Sequence, residues 1–254
     1  MTKQIADFKL VEKQDFGRSV LLRLHSEQVL PDMVPGQFVQ VRVDGSPSTY
    51  LRRPISIHDV DFHQNDITLL VQQVGDGTRH LATAELGGII NVVLPLGNGF
   101  SLPEKGENVL LVGGGIGIAP LYYLAKLLVE KGIRPTLLLG GKSKSDLIRL
   151  EDYRQFGETF VTTEDGSLGE KGFVTQHSVW QQRSFDKIYV CGPKPMMKAV
   201  AKLAAEKDVW CEVSLENLMA CGLGACLCCV EDTVDGHVCV CKEGPVFDTR
   251  RLKW

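Results

Sequence analysis

Six of the eight cysteines fall between residues 221 and 241, among glycine and alanine. The segment reads Cys221-Gly222-Leu223-Gly224-Ala225-Cys226-Leu227-Cys228-Cys229, and Cys239 and Cys241 follow. Cys221, Cys226 and Cys229 stand at C-x4-C-x2-C, which with one later cysteine is the spacing of four thiolates around a [2Fe-2S] cluster. A loop wrapping an inorganic core must bring backbone close to sulfur and turn N–H groups toward it. Gly222, Gly224 and Ala225 permit this, because glycine reaches positive φ and neither residue type adds bulk. A single zinc ion is the competing chemistry, with Cys226, Cys229, Cys239 and Cys241 as four thiolates. The glycine-rich arm from Cys221 favours the cluster. Cys241 is read as the fourth ligand because it opens the charged turn Lys242-Glu243-Gly244-Pro245, leaving Cys228 and Cys239 as spectators.

The chain that must position these thiols has 254 residues, 44% hydrophobic and 23% charged, enough apolar material for a substantial core. A net charge of -3 and the lack of any Lys/Arg run give no basic field for nucleic acid, so no nucleic-acid partner is expected. The opening residues carry no long apolar h-region, and clustered thiols suit a reducing compartment, so a cytoplasmic location is expected. Residues 109–125 are uncharged, yet Gly113-Gly114-Gly115 and Pro120 interrupt them. A buried strand, a turn and a helix fit that stretch better than a membrane span, and no membrane association is expected.

Residues 1–100 show short alternating apolar runs, such as 19–24, 37–43 and 66–74, broken by Pro31, Pro35-Gly36, Asp44-Gly45 and Gly75-Asp76-Gly77. This pattern predicts a small antiparallel β-barrel, with a short helix over 78–85. Two places in it could bind an anion. Arg52 and Arg53 precede a strand, and a guanidinium pairs bidentately with phosphate, although an ordinary solvated pair has the same sequence. Gly77 and Thr78 sit at a helix start, where backbone N–H groups can receive a diphosphate, although a plain loop reads the same way.

From residue 101 to 212 the pattern becomes alternating strand and helix, which predicts a parallel sheet covered on both faces. A buried strand over 108–112 runs into Gly113, Gly114, Gly115 and Gly117 and then into a helix over 121–131. That order aims helix N–H groups at a diphosphate, whereas a tight structural turn is the alternative. Further strands are expected at 135–139, 160–163 and 187–190, the last ending in Cys191-Gly192-Pro193 before a helix over 194–207. Lys142 and Lys144 could contact a 2′-phosphate or belong to a solvated loop, so NAD and NADP are not separated by these residues. Residues 213–254 form the small cysteine-rich domain.

Arg53-Pro54-Ile55-Ser56 resembles the flavin motif of the ferredoxin–NADP reductase superfamily. The resemblance implies that Arg53, Pro54, Ile55 and Ser56 bind FAD, that Leu70, Val71 and Gln72 lie along its ring system, and that Gly77 and Thr78 lie under its diphosphate. Ile55 stands at the motif's aromatic position, so ring stacking from that strand is absent. Gly113, Gly114, Gly115 and Gly117 are similar to the superfamily's pyridine-nucleotide loop, and Cys191 to the residue beside the nicotinamide. Over the whole chain the order of parts resembles the electron-transfer subunits of class 1B, NAD-dependent dihydroorotate dehydrogenases of pyrimidine biosynthesis. That resemblance implies a separate FMN subunit oxidising dihydroorotate, electrons passing through the [2Fe-2S] cluster and FAD to NAD, and a heterotetramer of two subunits of each kind. Subunits of bifurcating NADH–ferredoxin:NADP oxidoreductases, also called sulfide dehydrogenases, look similar but typically carry Asp where this chain has Cys221. Neither resemblance implies a catalytic side chain on this chain.

Overall fold

Alternation along the first hundred residues folds as a closed six-stranded barrel in the computed structural model, which describes residues 2–254. Its strands are β1 (Gln4–Asp15), β2 (Ser19–His25), β3 (Phe38–Val41), β4 (Arg53–Asp61), β5 (Asp66–Gln72) and β6 (Ile89–Leu96), in the order β1-β2-β5-β4-β3-β6. All neighbours are antiparallel. The period of two is visible in β1, where Ala6, Phe8 and Leu10 are buried while Asp7 and Lys9 face out. Closure leaves no strand at the end of the sheet. A seven-residue helix, α1 (Asp76–Ala82), follows β5, starting two residues before its expected place.

Residues 100–216 build a second unit by repetition of strand and helix. Its elements are β7 (Val109–Gly114), α2 (Ala119–Glu130), β8 (Thr136–Gly141), α3 (Leu150–Arg154), β9 (Thr159–Thr163), β10 (Glu170–Lys171), α4 (Val179–Gln182), β11 (Lys187–Cys191), α5 (Lys194–Glu206) and β12 (Trp210–Ser214). In α2 the stripe Leu121, Leu124, Ala125 and Leu128 is buried, packed in one core with Leu111, Leu137, Leu139 and Tyr153. The chain runs outward from β7 through β8 and β9, then returns to place β11 and β12 on the other side of β7. Every strand from β10 to β12 in the sheet is parallel to its neighbour.

The tail supplies β13 (Val230–Thr233), β14 (Gly236–Cys239), α6 (Val240–Glu243) and β15 (Val246–Asp248). By packing, residues 217–231 and 237–245 belong with the barrel, whereas residues 232–236 and 246–254 belong with the parallel sheet. β15 adds antiparallel to β12 and completes the sheet order β10-β9-β8-β7-β11-β12-β15. Among the described residues no helix is long and apolar enough to cross a membrane.

Candidate functional site

Three places answer to the residues singled out above. The first is the cysteine loop. Gly222 and Gly224 adopt φ of 70° and 84°, and with Leu227 at 57° they coil the backbone so that amides point inward at sulfur. Leu223 N donates to Cys221 Sγ at 3.3 Å, Gly224 N to Cys241 Sγ at 3.1 Å, and Cys241 N to Cys229 Sγ at 3.3 Å. The amide of Leu223, helped by those of Cys226 and Ala225, pulls the Cys221 thiol down to about 6. Burial, reinforced by the Cys229 thiol, pushes Cys241 up to about 12. Cys229 and Cys241 are buried, while Cys226 and Cys228 are exposed.

The barrel holds this loop. A methyl on Gly222 would lie 2.8 Å from Gln40 Cγ and 3.2 Å from Leu96 Cδ1, so glycine is required by close approach as well as by φ. Asn98, just past β6, donates from Nδ2 to the carbonyls of Lys242 and Glu243 at 3.2 and 3.1 Å, and from its backbone N to Gly244 O at 2.6 Å. Those carbonyls end α6, the helix that carries Cys241, and one side chain therefore fixes it. A zinc site would need four sulfurs about 2.3 Å from one point. Among the described residues no three His, Cys, Asp or Glu side chains converge to hold one metal ion. Three of the thiols, Cys221, Cys229 and Cys241, instead accept backbone N–H bonds, the kind of contact that stabilises thiolate ligands.

The second place is a parting in the barrel wall. β4 and β5 pair from Ile57↔Leu69 onward, but residues 53–56 pair only with β3 and Leu70–Gln72 only with β2. Two strand edges thus face each other with their ladder groups free, and a flat heterocycle with donors and acceptors could bridge them. Arg53, Pro54, Ile55 and Ser56 are half-buried along one edge. Along the other, the Leu70 and Val71 side chains are buried in the barrel, which leaves their backbone and the exposed Gln72 to face the parting. The two arginines divide their roles. Arg52 donates to Gln40 O, Asn91 O and Asn91 Oδ1 at 3.2, 3.1 and 2.5 Å and ties β3 to β6. Arg53 lies against Gly77, where an added methyl would meet its Nε at 2.6 Å. The Thr78 hydroxyl accepts from Val74 N and Gly75 N and donates to Gly75 O, so it staples the loop that presents Gly77. With α1 so short, an anion placed here would be attracted by Arg53 more than by a helix dipole.

The third place is where the parallel sheet reverses direction, between β7 and β11. Ligands of open α/β sheets bind outside the strand C-termini at such a switch point. Gly113 and Gly114 end β7 as strand residues, so the turn begins only at Gly115, and Gly115–Ile118 forms a single 3-10 turn leading into α2. The glycines have separate reasons. A methyl on Gly113 would meet Ile118 Cγ2 at 2.8 Å, one on Gly114 Met196 Sδ at 2.4 Å, and one on Gly117 the backbone of Cys191 and Gly192 at 2.5 Å. Gly115, at φ 54°, has open space before it. Cys191 ends β11 opposite Gly113 and Ser214; burial raises its thiol well above the ordinary range, so it is a neutral group bonded to the Ser214 hydroxyl. Lys142 and Lys144 are exposed beyond β8. Sequence reasoning missed Asn98, Gln40 and Ser214. A lone polar residue on an otherwise apolar strand was the available signal for Gln40, and none existed for the other two.

Comparison with known proteins adds the following. The model of the iron-sulfur cluster binding domain of dihydroorotate dehydrogenase B matches residues 216–253, and that of the oxidoreductase NAD-binding domain matches residues 111–202. The chain is 42% identical over 254 residues to the dihydroorotate dehydrogenase B (NAD(+)) electron transfer subunit of Shouchella clausii, covering 97% of each. It is 44% identical over 223 residues to that of Bacillus velezensis, covering 86% of each. Among solved structures, an NADH-dependent reduced ferredoxin–NADP oxidoreductase studied for flavin-based electron bifurcation superposes with a TM-score of 0.88 at 34% identity, over 97% of this chain and 90% of that one. The ferredoxin reductase in carbazole 1,9a-dioxygenase, at 19% identity and a TM-score of 0.69 over 82% of this chain and 67% of that one, shares the fold.

Proposed function

This chain belongs to the family of electron transfer subunits of NAD(+)-dependent dihydroorotate dehydrogenase B, and we propose that it passes electrons from an FMN-containing, dihydroorotate-oxidising partner subunit to NAD in pyrimidine (UMP) biosynthesis. The observation that carries this reading is the ring of backbone N–H groups donated to Cys221, Cys229 and Cys241, which suits thiolates bearing a [2Fe-2S] cluster. Bound in their places, the cluster carries single electrons, FAD exchanges both single electrons and hydride, and NAD accepts hydride.

Each residue has a task in this reading. Cys221, Cys226, Cys229 and Cys241 hold the cluster, with Gly222 and Gly224 allowing the amides to reach sulfur. Arg53 neutralises the FAD diphosphate beside Gly77 and Thr78. Pro54, Ile55 and Ser56 on one edge, and the backbone of Leu70, Val71 and Gln72 on the other, receive the ring system. Gly115 and the N-terminus of α2 receive the NAD diphosphate, and Gly113, Gly114 and Gly117 bring the turn against β11 so that Cys191 faces the nicotinamide. A neutral, buried Cys191 offers a close wall rather than a nucleophile. The working divisions are residues 1–100 for FAD, 101–212 for NAD and 213–254 for the cluster. All eight cysteines are free, as a reducing cytoplasm maintains them. A heterotetramer with two copies of each subunit is the assembly proposed.

The test is to mix anaerobically purified chain with a dihydroorotate-oxidising FMN protein of this system and follow NADH at its absorbance maximum. NADH formed only when both proteins are present is the expected result, and its absence from flavin- and iron-loaded protein overturns the reading. The second reading, a subunit of a bifurcating NADH–ferredoxin:NADP oxidoreductase, is favoured by the structural likeness at 34% identity. It would be supported by turnover with ferredoxin and NADPH and none with dihydroorotate.

A further inference from the structure

Cys239 stands inside the cysteine ring. It closes β14 and occupies the N-cap of α6 in an extended conformation (φ -84°, ψ 115°), so Cys241 follows it in the first turn of that helix. Its Sγ points at Gly224 O at 3.8 Å, while the N–H of the same Gly224 donates to Cys241 Sγ at 3.1 Å. The two thiols therefore bracket one residue, Cys241 on its amide side and Cys239 on its carbonyl side. The backbone N of Cys241 donates to Cys229 Sγ at 3.3 Å, and the Cys229, Cys226 and Cys221 thiols are close enough to act on Cys239 electrostatically. Cys228, the other surplus cysteine, is exposed.

We propose that Cys239 is a reserve ligand, which takes over the iron position of Cys241 when Cys241 is missing or displaced. The proposal rests on Cys221, Cys226, Cys229 and Cys241 holding a [2Fe-2S] cluster. The preference between the two thiols follows from their surroundings. A metal-bound sulfur gains from the Gly224 N–H beside Cys241 and is repelled by the Gly224 carbonyl beside Cys239, so Cys241 is the preferred ligand and Cys239 stays in reserve. The exchange is balanced without any redox partner: one Fe–S bond to Cys241 breaks and one to Cys239 forms. Cys239 gives up its thiol proton, the freed Cys241 sulfur takes one, and both irons keep their oxidation state. The substituted centre loses an N–H···S bond and lies nearer solvent, since Cys241 is 1% exposed and Cys239 is half-buried. Both changes alter its electronic spectrum and potential.

The experiment uses the full chain purified anaerobically with its flavin, as wild type, Cys239→Ala, Cys241→Ala and the double variant. Alanine is used because a serine oxygen could itself ligate iron. Iron and sulfide content, electron paramagnetic resonance of the reduced protein, and mass-spectrometric mapping of alkylated thiols are read for each. Cys239→Ala keeps wild-type iron and spectrum. Cys241→Ala keeps most of its iron with a shifted spectrum, and the double variant loses it. Alkylation labels Cys228 and Cys239 in wild type but only Cys228 in Cys241→Ala. A Cys241→Ala protein with flavin and no iron overturns the proposal and leaves the four-cysteine assignment standing. Loss of iron from Cys239→Ala alone overturns both, because Cys239 would then be a native ligand. A double variant as rich in iron as Cys241→Ala also overturns the proposal. Should Cys241→Ala lack flavin as well, Cys241→Val, which fills more of the buried site and cannot ligate iron, decides: a protected Cys239 supports the proposal, and an alkylated one overturns it.

Discussion

Replacing Gly117 by alanine tests whether the glycine turn is shaped by crowding or by its ligand. The added methyl would lie 2.5 Å from Cys191 O, Gly192 N and Gly192 Cα, all backbone, where ordinary contact begins at 3.4 Å. Something must move by roughly 0.9 Å, and neither strand end can rotate away as a side chain could, so the upper part of the overpacking range applies, about 3 kcal/mol. Alanine returns roughly 0.5–1 kcal/mol through the unfolded chain, which leaves a net loss of about 2 kcal/mol. For a chain of this length that lowers the thermal midpoint by roughly 4–8 °C. Gly115→Ala is the control. Its methyl meets open space and only φ 54° opposes it, a cost of about 1–2 kcal/mol before the same return, hence a midpoint shift of at most about 6 °C. If nucleotide fills that space, Gly115→Ala instead raises KM for NADH several-fold in a diaphorase assay. Circular dichroism melts and NADH titrations of both variants decide the matter. A Gly117→Ala protein that melts with wild type, or a Gly115→Ala protein that melts lower than Gly117→Ala, would refute the reasoning.

The adjacent arginines should separate in the same way. Arg52→Ala removes the bonds to Gln40 O, Asn91 O and Asn91 Oδ1 in the barrel wall, with only Arg42 N still donating to Asn91 O, and costs about 1–3 kcal/mol, seen as a lower urea midpoint. Arg53→Ala leaves that midpoint almost unchanged and lowers the flavin recovered per chain. Asn98→Ala removes two bonds to the end of α6, about 1–2 kcal/mol, and should speed bleaching of the cluster by a chelator roughly 5–30-fold. His177 is buried, accepts from Val179 N at Nδ1, and has its pKa lowered by burial, with Glu170 opposing. Its neutral form is the folded one, so its contribution is complete above the unfolded value near about 6.5 and declines as pH falls below it. His177→Gln should flatten the acid limb of a midpoint-against-pH curve; an unchanged limb counts against this assignment.

Much of the architecture was readable because its signals are local. The barrel strands announce themselves by alternation, the first sheet strand by an apolar run ending in glycine, and the thiol loop by its spacing. What escaped is tertiary. Arg52 and Arg53 are adjacent and chemically alike, and only the register of β3 and β6 shows which one is tied down inside the wall. Four glycines in a row of eight residues look like one motif, yet three answer to crowding by Ile118, Met196 and the end of β11, the last two of which lie more than seventy residues away in sequence. Asn98 acts on a helix that begins at Val240, beyond the reach of any periodicity. β15 is three residues long, too short to declare itself.

That last strand has a consequence for the tail. The chain leaves the parallel sheet at Ser214 and comes back to lie against the same residue, since Val246 pairs with Ser214. Residues 215–245 are thus a loop clasped at its neck by backbone pairing that involves none of the clustered thiols. Emptying and refilling such a loop need not unzip β15 from β12. Late insertion of iron and sulfide into an otherwise finished molecule, and repair after oxidative damage without renewed synthesis, are what this clasp makes mechanically simple.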